Sequence, residues 1–166
     1  MDLGKWFVNK ILQNAQTMQN RLQRQNQISG EKNNFTLEAV LEDVERLSAQ
    51  ISKMTMGYQL EQNLSRQEFD TFLSSITEKI TYLPEALKVI EKDEQNKQAL
   101  LRSANPVKNK KDIEYFELLV TPKVHLKLTR IRNKNHESNS ISFVIAFDLL
   151  ERLINDIESL IKNIIR

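Results

Sequence analysis

Residues 35–58, FTLEAVLEDVERLSAQISKMTMGY, carry the cleanest amphipathic pattern in the chain. Within it Leu37, Val40, Leu41, Val44, Leu47, Ile51, Met54 and Tyr58 recur at steps of three and four. That spacing stacks side chains on one face of an α-helix. Thr36 has the chemistry of an N-cap, and Phe35 and Val40 are placed as a hydrophobic staple around it. The expectation is one long amphipathic helix.

The segments on either side read the same way. Upstream, Leu3, Phe7, Ile11, Ala15, Met18 and Leu22 form a helical stripe widened by Trp6, Val8 and Leu12. Ser29–Asn34, with Gly30, reads as the loop that ends it. Downstream, Ser65 and Glu68 make a capping box with Leu64 and Phe69 as its staple. Phe69, Phe72, Leu73, Ile76, Ile80 and Leu83 continue from it up to Pro84, which ends or kinks a helix. Residues 85–103 resume a helical pattern. Asn105-Pro106 and Lys108–Lys111 read as a loop, and Ile113, Phe116, Leu119 and Val120 as another helix. Thr121-Pro122 reads as a kink or a fresh cap, after which Val124, Leu128 and Ile131 carry the helix on. Residues 132–140 are a polar loop. From Ile141, the series Val144, Phe147, Leu150, Ile154, Ile157, Ile161 and Ile164 marks the last helix.

No alternating run and no Asn-Gly hairpin stand out, and the chain has only three glycines. The fold expected is all-α: one domain over 1–166, a bundle of five or six amphipathic helices with no sheet. Residues 1–28 are a projecting or dimer-packing helix.

Composition bounds the chemistry. A chain of 166 residues is the size of one ordinary domain. The absence of cysteine excludes a disulfide scaffold, a thiolate zinc site and a cysteine nucleophile. Three glycines leave no room for a dinucleotide fingerprint or a phosphate loop. Two histidines cannot by themselves make a three-histidine metal site. No metal and no cofactor are expected. No apolar run approaches a membrane span and no signal peptide is visible, so the location expected is the cytoplasm.

Net charge is +2 but unevenly spread. Residues 104–136 hold eight basic side chains against three acidic ones. Lys108, Lys110, Lys111, Lys127 and Lys134 of that stretch are candidate contacts for RNA phosphates. The same stretch holds the one short constellation able to do chemistry: Arg130, Arg132, Asn133 and His136. A histidine of near-neutral pKa can take a proton from a ribose 2′-hydroxyl. A guanidinium can hold the phosphate, and Asn133 can orient either group. His125, between apolar Val124 and Leu126, reads as a structural or surface histidine.

An arginine, often followed by a polar residue, then four to six residues and a histidine, set just before the last long helix of an α-helical bundle, resembles the HEPN superfamily. Five residues lie between Arg130 and His136, Ile131 the first of them, and three lie between Arg132 and His136, Asn133 the first of them. The resemblance covers 113–166. It implies a metal-independent ribonuclease, a toxin or anti-phage effector working as a homodimer. The alternative is a non-catalytic helical adaptor, such as an antitoxin, immunity protein or assembly subunit. It would bind a protein partner through its amphipathic helices and an exposed Trp6.

Overall fold

The structure is a computed structural model, and it describes residues 1–18, 26–109 and 111–166. It overturns the all-α expectation. Three helices cover one face of a ten-stranded antiparallel sheet. Helix α1 is Leu3–Met18, and the strands β1 (Asn26–Lys32), β2 (Phe35–Val44) and β3 (Ser48–Tyr58) follow it. Helix α2 (Arg66–Lys79) leads to β4 (Leu87–Asp93), β5 (Gln98–Ser103), β6 (Val107–Lys108), β7 (Asp112–Thr121) and β8 (His125–Lys134). Then come β9 (Glu137–Ile141), β10 (Phe143–Ala146) and α3 (Phe147–Ile164).

The opening stretch is therefore a β-hairpin, with Phe35 opposite Tyr58 and Leu37 opposite Met56. Its inward residues on β2 are Phe35, Leu37, Ala39 and Leu41, a clean period of two. On β3 they are Ala49 and Ile51, then Met54 and Met56. The step of three from Ile51 to Met54 comes from a bulge: Ile51 pairs with Leu41 and Lys53 with Val40, so Ser52 is extra. That inserted residue, together with a second register shift between Leu41 and Asp43, turns a strand period into something that passes for a helix period.

Residues 85–103 and 113–131, also expected as helices, are β4–β5 and β7–β8. Thr121-Pro122 is neither kink nor cap but the start of the β7–β8 turn. The expected loops at 29–34 and 132–140 are mostly strand: Asn33-Asn34 and Asn135-His136 are two-residue hairpin turns. All four of those residues have positive φ, between 52° and 67°. Such turns favour Asn-Gly, but asparagine also tolerates the left-handed region. Scarce glycine thus did not signal long helices. No glycine among the described residues has positive φ, and Asn, His, Lys97 and Val124 fill those conformations instead.

The sheet runs β1-β2-β3-β8-β7-β5-β4, with β6 beside β7, β9 beside β8 and β10 beside β3. Strands β3 and β8 pair at residues 54–57 and 125–128 and then part. The chain comes back along β8 as β9, turns at Ser142 and leaves along β3 as β10. The Ser142 hydroxyl accepts from Gln50 Nε2 at 2.7 Å in that fork.

Three helices do form within the expected segments, because their signals are local, but Ile141 and Val144, expected in the last helix, lie in β9 and β10, and Ile80 and Leu83 lie beyond α2. At α2 the Ser65–Glu68 capping box is present in both directions, at 2.7 Å and 3.2 Å. The apolar stripe of α3, with Leu150, Ile154, Ile157 and Ile161 buried, packs between α1 and α2 and onto the sheet. Helix α1 does not project. Leu3, Phe7 and Ile11 are fully buried, and the backbone N–H of Gly4 donates to Asn155 Oδ1 of α3 at 2.8 Å. Trp6 is half-buried over Gly30 of β1, with the Lys10 and Lys32 ammonium groups 5.9 and 5.8 Å from its ring. Met18's side chain and Leu22 lie outside the described residues.

Candidate functional site

Arg130 and Arg132 sit on the same face of β8 as buried Leu126 and Leu128. Arg130 Nη1 and Nη2 donate to the two carboxylate oxygens of Glu85, each at 3.3 Å, and Nε donates to Glu114 at 3.3 Å. Its guanidinium also lies 4.7 Å from the Phe116 ring centroid. The Glu85 and Arg130 side chains are only 4% and 12% exposed, so this is a buried ion pair. Arg132 donates to Glu114 from Nε and Nη2 at 2.9 and 2.8 Å. Those two guanidinium groups hold the Glu114 carboxyl below its ordinary range, Arg132 more than Arg130 and against the effect of burial. The cluster ties the segment after α2 to the sheet, and its carboxylates occupy the donors a phosphate would need.

His136 is elsewhere. It is the second residue of the β8–β9 turn, exposed, at φ 65°. Arg130 lies four residue steps along the strand from Lys134, about 13 Å at roughly 3.3 Å per step, before the turn begins. Asn133 points to the other face and donates to the Ser138 hydroxyl at 3.2 Å. The arginines, asparagine and histidine therefore do not converge. His136 serves the turn through its backbone, and replacing it with glycine should raise stability by about 1 kcal/mol. Chemical denaturation would measure this, and an unchanged or lower midpoint would count against it.

The lysines divide as well. Lys108, Lys111 and Lys134 share one end of the sheet, where Lys134 stands opposite Asp112 and next to Glu137 at the turn. Lys127 lies seven residues back along β8 on the face away from the helices, opposite Thr55 and Leu119. Lys110 lies outside the described residues. His125 is exposed at the far end of β8, opposite Gly57. Among the described residues no group of histidine, aspartate and glutamate is placed to hold a metal ion.

The concavities differ in character. Met54, Met56, Leu118, Leu126 and Ile157 line an apolar void of about 20 Å³ between sheet and helices, too small for more than a water and without polar partners for one. A shallow depression of about 860 Å³ spans Asn34, Thr36, Gly57 and His125 at the sheet end. A groove of about 380 Å³ separates α2 from the β4–β5 turn, within the size range of ligand sites. Its floor is Leu64, Phe69 and Pro122. Leu64 is placed by its N–H, which donates to Pro122 O at 2.8 Å, and Phe69 is the first apolar residue of α2.

Two ion pairs cross that groove from helix to strand side. Arg66 meets Glu94 at 2.8 Å, and Lys92 meets Asp70 at 2.8 Å. The hydrogen bond from Lys92 lowers the Asp70 carboxyl below its ordinary value. Asp93 shapes the adjoining turn by accepting from the N–H groups of Gln95 and Asn96, both at 3.0 Å, and Lys97 closes it at φ 50°.

The chain matches no protein-family model, no curated protein and no solved structure.

The sheet itself overturns both functional readings made from the sequence. A helical HEPN-type ribonuclease and a helical adaptor each require a bundle, which this chain does not form. Among the described residues no helix is long and apolar enough to cross a membrane. The groove was missed because its two walls come from α2 and from β4–β5. Leu64 and Phe69 were legible as a staple, but nothing local pairs them with Lys92, Glu94 or Pro122.

Proposed function

We propose that the chain is a protein-binding module that takes a segment of a partner protein into the groove between α2 and the β4–β5 turn. The observation that carries this reading is an apolar floor of Leu64, Phe69 and Pro122 inside a rim of both charge signs: Arg66, Lys92 and Lys97 against Asp70 and Glu94. Apolar centre and polar rim are the anatomy of a protein interface. The two crossing ion pairs are solvent-exposed, Arg66 and Glu94 at 82% and 73%. Such pairs hold a structure by at most about 1 kcal/mol each and are screened by salt. A partner carrying one apolar side chain flanked by charges can therefore exchange them for its own at little cost.

Panning a display library of random peptides on the intact protein tests the reading. Retained peptides should share an apolar anchor and shift the amide signals of Leu64, Phe69, Lys92 and Gln98. Asp70→Arg, at a half-buried rim position, should weaken them by at least about tenfold, a change of roughly 1.4 kcal/mol. Peptides that bind both proteins equally, or shift only signals outside the groove, would overturn it.

A further inference from the structure

We propose that β1 pairs edge to edge with β1 of a second copy of this chain, antiparallel, about a two-fold axis at Ser29. The two outermost strands of the sheet are β1 and β4, and they are built differently. An open strand edge is a template for pairing with another chain, and proteins blunt such edges with charge, bulges and cover. Strand β4 has these devices. Ile90 is bulged out between Val89 and Glu91, Lys88, Glu91 and Lys92 are exposed along it, and α2 lies beside it. The shorter edges of β9 and β10 meet at the bend at Ser142.

Strand β1 is less protected: its charges, Glu31 and Lys32, lie only at the turn end, and no bulge breaks it. Its seven residues pair with β2 in one register with no shift from Asn26–Leu41 to Lys32–Phe35. Gln27, Ile28, Ser29 and Gly30 carry no charge, and the strand contains no proline. Among the described residues β2 is its one strand partner. Helix α1 covers the inner face at Gly30 through Trp6 and leaves Gln27 and Ser29 exposed.

The strand's own order selects a second copy as the occupant. In full antiparallel overlap Ser29 faces Ser29, Gln27 faces Glu31 and Ile28 faces Gly30. No like charges are opposed, which is the condition for cross-strand pairs to be favourable. A two-fold axis makes the contact isologous, so that it closes as a dimer and does not propagate. This surface is separate from the groove on α2, and either proposal can fail alone.

Sedimentation of the full chain tests it, with circular dichroism to confirm folding of each variant. The wild type should sediment as a dimer. Ser29→Lys and Ser29→Glu each oppose like charges at the axis and should be monomers, while an equimolar mixture of the two should regain the dimer. The chain has no cysteine, so Ser29→Cys introduces a single thiol. Directly opposed strand residues lie about 4.5–5.5 Å apart at Cα, within the roughly 4.4–6.8 Å span of a disulfide. That variant should form a disulfide-linked dimer on mild oxidation far faster than Ser138→Cys on β9. A monomeric wild type at its highest soluble concentration would overturn the proposal. So would a dimer that survives both charged variants, or equal cross-linking of the two cysteine variants.

Discussion

Replacing Arg130 with methionine is expected to lower the unfolding free energy by about 3–5 kcal/mol, the largest single-residue effect anticipated outside the apolar core. The loss arises from what is left behind. The Glu85 side chain is 4% exposed, and both its oxygens are held by Arg130. Without that guanidinium, Glu85 loses the donors to both its oxygens at a position almost closed to solvent. Replacing both partners, Glu85→Leu with Arg130→Met, should recover most of the loss, because a buried pair exchanged for apolar groups of similar volume is often neutral. Urea unfolding of the single and double variants measures both effects. A single variant as stable as the wild type would show that the pair is idle.

Acid provides a second readout of the same cluster. The Glu114 carboxyl is held below its ordinary value of 4.5. A carboxyl depressed on folding adds stability above its unfolded pKa and loses it as pH falls through the lower folded value. The wild type should therefore lose stability below about pH 4.5 more steeply than Arg130→Met, in which one of the two lowering groups is gone.

The second large effect concerns the contact between α1 and α3. Gly4→Ala should destabilise the protein by about 1–3 kcal/mol, although alanine is the better helix former by roughly 1 kcal/mol. A Cβ at Gly4 would collide with the backbone carbonyl of Glu151 and with Asn155 Oδ1. Backbone cannot rotate aside as a side chain can, so the helices must separate, and that stretches the Gly4–Asn155 hydrogen bond. Thermal unfolding distinguishes the outcomes by sign. A rise in melting temperature would mean that propensity outweighs contact and that the crossing is looser than described.

The same two sites show how much of the structure could be read in the sequence. Helices α2 and α3 were legible because their signals lie within a few residues: a capping box at Ser65–Glu68, and an unbroken three-four stripe from Phe147 to Ile164. The hairpin of β2 and β3 was not, for two reasons. The extra Ser52 shifts the inward residues of β3, and a second register shift at Glu42 brings Val44 opposite inward Ala49, so that Val44 and, from the other face, Val40 complete a false stripe with Leu37 and Leu41. The turns were missed because Asn33-Asn34 and Asn135-His136 do the work usually given to glycine. For the site, sequence proximity misled: Arg130 and His136 are near in the chain but apart on a strand, whereas Arg130 and Glu85 meet across 45 residues. Residue type marked Arg130 as special. Only the sheet showed that its charge was already answered.

The Gly4–Asn155 contact also imposes an order in time. The two residues are 151 positions apart, so the surface that receives α1 is synthesised long after α1 itself. At about 5–20 residues per second, α1 waits roughly 8–30 s for its seat. Through that interval Leu3, Phe7 and Ile11 have no α3 to cover them. A slower ribosome lengthens that exposure, so the yield of folded protein should fall as translation is slowed.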